Sequence, residues 1–156
     1  MHGTIAAMGE RTRGYAHRID VAADAPLVWS ALTSTQSLSI WCSPRAQIDA
    51  RAGGSFRAAV DRVTELEAHI DQFVPERRIR LIYLPCAALP PAASAIVDDF
   101  MLDPTESGTI VRLLGSGVPA EPEWDPIFVR LRLGWERAMA RLKVLVERSA
   151  RGAARS

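Results

Sequence analysis

The chain is short of most residues that would narrow its function quickly. Of 156 residues only two are cysteines, Cys42 and Cys86, far apart and in no Cys-x-x-Cys or Cys/His spacing. That excludes a zinc knuckle or a disulfide framework and fits a reduced, cytoplasmic protein. Lysine is all but absent: Lys143 stands alone, and the other basic residues are arginines. The formal charge of +1 argues against a whole-surface nucleic-acid binder. No apolar run is long enough to span a membrane as a helix. Arg11 and Arg13 come without an apolar stretch, so no signal peptide is expected at the start. Aromatics make up 6% of the chain, so each large ring should have a packing role or a functional one. There is no nucleophile elbow, no Ser/His/Asp grouping and no phosphate-binding glycine loop.

What is present is a pattern of two short helices, a run of strands and one long terminal helix. Residues 1–15 read as a flexible arm, in which Met8 is an alternative start and His2 has no partner pattern, and 150–156 read as a frayed tail. One domain is expected over 16–149, long enough to build a core without staples. Ala16 to Ala22 alternates around Ile19 and Val21 as a first strand. Asp24 is placed to cap a helix with Pro26 in its first turn, and Val28 and Leu32 share its buried face. Thr33-Ser34-Thr35 breaks that helix and caps a second, carrying Leu38 and Trp41. Strands follow at 47–50, 55–60, 65–73, 79–84, 94–102 and 109–116. In the third of these, Leu66, Ala68 and Ile70 alternate against Glu65, Glu67, His69 and Asp71, a half-buried antiparallel strand with His69 on its surface side.

From Asp125-Pro126 to about Ser149 the period changes to that of a helix. At about 100° per residue, Ile127, Leu131, Trp135, Ala138, Leu142 and Leu145 form one face, joined by Phe128, Met139 and Val146. Arg130, Arg137, Arg141 and Arg148 make a narrow flanking stripe. Such residues could hold an acidic partner or an anionic head, but snorkelling beside the apolar face is the favoured reading.

These pieces, in this order, resemble the START/SRPBCC superfamily. Val28-Trp29-x-Ala31-Leu32-Thr33, Leu38, Trp41 and Gly53-Gly54-x-Phe56 are similar to its opening. Pro75-Glu76-Arg77-Arg78-Ile79 is similar to the strand turn that follows. Gly108-Thr109, Gly117 and Gly134-Trp135-x-x-x-Met139-x-x-Leu142-Lys143 resemble its closing hairpin and helix. The subgroup most resembled is named after the activator homologue of heat-shock protein 90 ATPase. The resemblance implies an α+β helix-grip fold: a curved antiparallel sheet wrapped around a long C-terminal helix, with two short helices after the first strand. It also implies a cavity between sheet and helix that takes a small hydrophobic or aromatic molecule. Relatives bind such ligands, cyclise polyketides or contact chaperones. Ala68 departs from the glycine that relatives often place there.

The favoured function is therefore binding of a small, mainly apolar ligand, without metal or cofactor and without nucleic acid; a homodimer is left open. A polyketide cyclase or dehydratase and a chaperone-contacting interaction protein are the alternatives. Trp41, Phe56, Tyr83, Phe100, Trp124, Phe128 and Trp135 are the candidate ligand wall, against ordinary core packing, which suits Phe56 above all, and Trp29 is assigned to the packing of the first helix. For an enzyme the candidates are Asp98, Asp99 and Tyr83. Neighbours in a strand point to opposite faces, so one of Asp98 and Asp99 should face inward, and the sequence leaves open which. A buried carboxylate is costly unless it is paired or hydrogen-bonded. A salt bridge to an arginine, or a bulge exposing both, is the plainer alternative.

Overall fold

A computed structural model of the protein describes residues 11–155. Residues 1–10, Met8 and His2 among them, lie outside the described residues. The strands are β1 (Thr12–Val21), β2 (Gln47–Ile48), β3 (Ser55–Ala58), β4 (Leu66–Val74), β5 (Arg78–Tyr83), β6 (Val97–Thr105) and β7 (Gly108–Pro119). The helices are α1 (Ala25–Thr33), α2 (Thr35–Trp41) and α3 (Asp125–Arg155), the last preceded by a 3₁₀ turn, Pro122–Trp124. All seven strands form one antiparallel sheet in the order β1-β7-β6-β5-β4-β3-β2, and with α3 they make a helix-grip fold.

Local chemistry explains the elements. Asp24 accepts from the Leu27 amide at 3.4 Å to open α1, and Ser34 accepts from the Ser37 amide at 3.2 Å to open α2. β6 and β7 run past the expected loop through Pro104 and Thr105 and turn at Glu106-Ser107, because Pro104 sits near the strand end opposite Thr109. β1 begins at Thr12, so Thr12–Tyr15 belong to the sheet, a stretch that the sequence assigns to the arm. α3 continues to Arg155, past the expected end near Ser149.

One sheet face is apolar, with Phe56, Ala68, Ile70, Ile79, Leu81, Phe100, Leu102, Val111 and Leu113 all buried. Against it α3 buries Ile127, Leu131, Trp135, Ala138, Met139, Leu142 and Val146, the face set by its period. The opposite face carries cross-strand ion pairs, among them Arg78–Asp99, Arg80–Asp71, Arg57–Glu67 and Arg112–Asp103. Trp29 packs on Phe73 at 5.3 Å between ring centroids. Among the described residues no helix is long and apolar enough to cross a membrane.

Candidate functional site

β6 runs through the middle of the sheet, and its alternation separates the two aspartates. Asp99 faces outward, where Arg78 donates to both its carboxylate oxygens at 2.9 and 2.7 Å. Asp98 faces inward and is 1% exposed. Its Oδ1 accepts from the Tyr15 hydroxyl at 2.6 Å. Its Oδ2 accepts from the Tyr83 hydroxyl at 2.7 Å and from Trp135 Nε1 at 2.9 Å. One carboxylate thus joins β1, β5 and α3 to β6 through three donors.

Register makes this contact. Tyr15 lies opposite Gly115 on β7, and Gly115 lies opposite Asp98 on β6. Tyr15 and Asp98 are therefore two strands apart, about 10 Å at the usual strand spacing. The Tyr15 ring bridges that span by lying across Gly115: a Cβ there would stand 2.3 Å from two ring carbons. Tyr83 follows Leu81 by two positions on the same face, and Leu81 is the β5 partner of Asp98. Trp135 comes from the buried face of α3, with its ring edge-on to Phe100 at 5.1 Å.

Burial raises the Asp98 carboxyl from 3.8 to about 6, and the three hydrogen bonds only partly counter it. Burial likewise pushes the Tyr15 and Tyr83 hydroxyls well above the usual tyrosine value, with the Asp98 charge adding to it. Both phenols therefore stay protonated and keep donating. The nearby Cys42 thiol is pushed up to about 12, chiefly by burial. Cys42 and Cys86 are both free, the first buried and the second exposed.

The candidate rings other than Trp135 lie in three places. Trp41, Phe56 and Phe100, with Leu32, Leu38, Ile48, Ile79 and Leu81, surround a space of only about 10 Å³, room for no more than a water. Trp41 donates from Nε1 to the Ala31 carbonyl at 2.9 Å and joins α2 to α1. The centre of the grip is thus packed with side chains where the resemblance implies open space. Tyr83 and Trp124, by contrast, line an open-sided pocket of about 640 Å³ at the loop end of the sheet, bounded by residues 84–86 and 89–96. Trp124 is fully buried, and its Nε1 has no hydrogen-bond partner. Phe128 is half-buried, 6.1 Å from the Tyr15 ring, with the Arg13 guanidinium 4.7 Å over its face.

Tyr15 is the residue that the sequence reading missed. Its signal was the alternation Tyr15-x-His17-x-Ile19-x-Val21, which continues the strand toward the N-terminus. The His17 ring sits 5.6 Å from that of Tyr15, with a buried, unpartnered Nε2. Among the described residues no group of His, Cys, Asp or Glu is arranged to hold a metal ion.

The family model for "Activator of Hsp90 ATPase homolog 1-like protein" matches residues 22–147. The chain belongs to this family. No curated protein gives a significant match. Among solved structures, protein MLL2253 from Mesorhizobium loti superposes with a TM-score of 0.74 at 22% identity, covering 87% of this chain and 98% of its own. The Aha1 dimer from Colwellia psychrerythraea gives 0.73 at 18% identity over 86% and 96%. CalU16 from Micromonospora echinospora gives 0.63 at 20% identity over 88% and 76%. At these identities the likeness is one of fold.

Within this family fold, the arrangement holds a proton on Asp98 up to about pH 6, and the carboxyl touches the pocket wall through the Tyr83 hydroxyl. Asp98 has no open path of its own, and Asp99 is tied to Arg78 on the far face.

Proposed function

We propose that this chain binds a small, mainly apolar molecule in the pocket between residues 84–96 and Trp124. The carrying observation is the pocket itself: about 640 Å³, within the range of small-molecule sites, walled by Leu84, Leu89, Pro90, Pro91, Ile96 and Trp124. Tyr83 stands in its wall with a hydroxyl fixed by Asp98, so that ring is pre-oriented before any ligand arrives. Burying apolar ligand surface there contributes about 25 cal/mol per Å², less the cost of association. Binding is favoured over a cyclase or dehydratase reaction because Asp98 is sealed and its oxygens are already engaged by three donors. The packed centre supports a second reading, contact with a protein partner through the outer surface.

The test uses Nile red and a panel of neutral aromatic compounds, read by fluorescence and melting temperature. At a hundred times Kd, ligand binding raises the melting temperature by roughly 5–10 °C. Ala93→Trp, on the exposed loop, fills the pocket and removes the response. No melting shift with any compound, and no bound small molecule in native mass spectrometry, overturns the binding reading and leaves the partner reading in front.

A further inference from the structure

The arginines of α3 meet a turn of the chain that the helix stripe alone does not reveal. Gly134 lets α3 rest directly on the chain at Val60: a Cβ there would stand 2.6 Å from the Val60 carbonyl oxygen. The contact seats the turn that follows β3 against the helix. Arg62 lies in that turn with φ 65°, a left-handed conformation. A cleft of about 220 Å³ results, lined by Arg62, Arg130, Arg137 and Arg141 with Asp61, Val129 and Gly134.

The charges in this cleft do not balance. Asp61 is its only acid, and that carboxylate is committed. It accepts from the Val63 and Thr64 amides at 2.9 and 2.7 Å, and Arg130 donates to it at 3.3 Å. Arg62, Arg137 and Arg141 have no carboxylate partner among the described residues. Arg141 is held in place: it donates to the Trp41 carbonyl at 2.9 Å and the Cys42 carbonyl at 3.3 Å. Its guanidinium is held below its usual value by burial first, then by the charge of Arg62 and, more weakly, of Arg137. Three like charges are thus kept together by the backbone that carries them. Arg137 and Arg141 come from successive turns of one helix face, and Arg62 comes from the turn facing them. A planar carboxylate is satisfied by one arginine fork. Three separate guanidinium groups suit a tetrahedral, doubly charged group with more oxygens to share.

We propose that this cleft is a phosphate-binding site held by Arg62, Arg137 and Arg141. It is separate from the apolar pocket and does not depend on the binding reading above. The phosphate could belong to a soluble phosphomonoester or to a lipid headgroup, and the chemistry of recognition is shared.

Two arms distinguish the sources, both with the full chain at low ionic strength. In the first, inorganic phosphate is titrated by calorimetry and by the Nε–H signal of Arg141. In the second, the protein is co-sedimented with phosphatidylcholine vesicles with and without phosphatidic acid. Arg62→Gln and Arg137→Gln alter exposed side chains and relieve like-charge repulsion, so neither should lower the melting temperature in plain buffer. Each should weaken phosphate binding about tenfold, and the double variant should abolish it. Arg132→Gln, on the same helix but outside the cleft, should change nothing. Phosphate binding without vesicle binding supports a soluble ligand, and binding to phosphatidic acid vesicles that the double variant loses supports a headgroup. Absence of binding in both arms, or binding that the double variant retains, overturns the proposal.

Discussion

Asp98→Asn tests whether burial or hydrogen bonding governs the carboxylate at the heart of the fold. Burial raises that carboxyl from 3.8 to about 6 in the folded protein. The difference corresponds to about 3 kcal/mol. The sign follows from which state binds the proton more tightly. Below about pH 4 the group is protonated in both states and contributes nothing. Between about pH 4 and 6 the unfolded chain ionises while the folded chain holds its proton, so stability from this group falls as pH rises. Above about pH 6 the loss is complete. Asparagine cannot ionise and removes this slope. Its Nδ2 also turns one acceptor position into a donor, facing either Tyr15 or the Tyr83 and Trp135 pair, which costs about 1–3 kcal/mol at every pH and is an offset, not a slope. Other carboxyls, such as Asp61 and Glu147, are held below their usual values and titrate alike in both proteins. Tyr15, Tyr83 and Cys42 are pushed up, out of this window. Urea unfolding of both proteins from pH 4 to 7 should therefore show the wild-type advantage shrinking by about 3 kcal/mol as pH rises. A flat difference would refute the claim that burial dominates. A growing advantage would show the three donors holding the carboxyl down.

Two further outcomes test the packing. Leu142 is fully buried on the sheet-facing side of α3, so Leu142→Ala should cost about 2–5 kcal/mol in urea unfolding with an unchanged denaturant slope; a cost below 1 kcal/mol would place that helix face outside the core. A thiol reagent near neutral pH should modify Cys86 quickly in the native protein and Cys42 only on unfolding, because Cys42 is buried and pushed up to about 12. Equal native reactivity would contradict that burial.

The long helix was legible because Ile127, Leu131, Trp135, Ala138 and Leu142 keep a helical period through to Val146, and all five are buried. The opposed fates of Asp98 and Asp99 were legible as a pair, since strand alternation forces them apart; which of the two turned inward was not. That choice depends on register, which one sequence does not carry, and a slip of one residue exchanges them. The role of Tyr15 was hidden for the same reason. It is 83 residues from Asp98, and the link between them is the glycine of a third strand. Arg141 was visible on its stripe, but Arg62 reaches it through a tertiary contact at Gly134 that no helical wheel contains. The filled centre reflects side-chain volume: Trp41, Trp135 and Met139 are all fully buried, and only coordinates show how such rings share a space.

The three donors to Asp98 tie distant parts of the chain to one buried group. They lie 83, 15 and 37 residues from it in sequence, and the last, Trp135, belongs to the C-terminal helix. Without that helix the sheet would present a carboxylate in the middle of its apolar face with nothing to cover it. Until Trp135 docks, that carboxylate keeps its water, and the half-built grip cannot close dry around it. Covering the carboxylate and supplying its third donor are thus one act of the same helix, through a single indole.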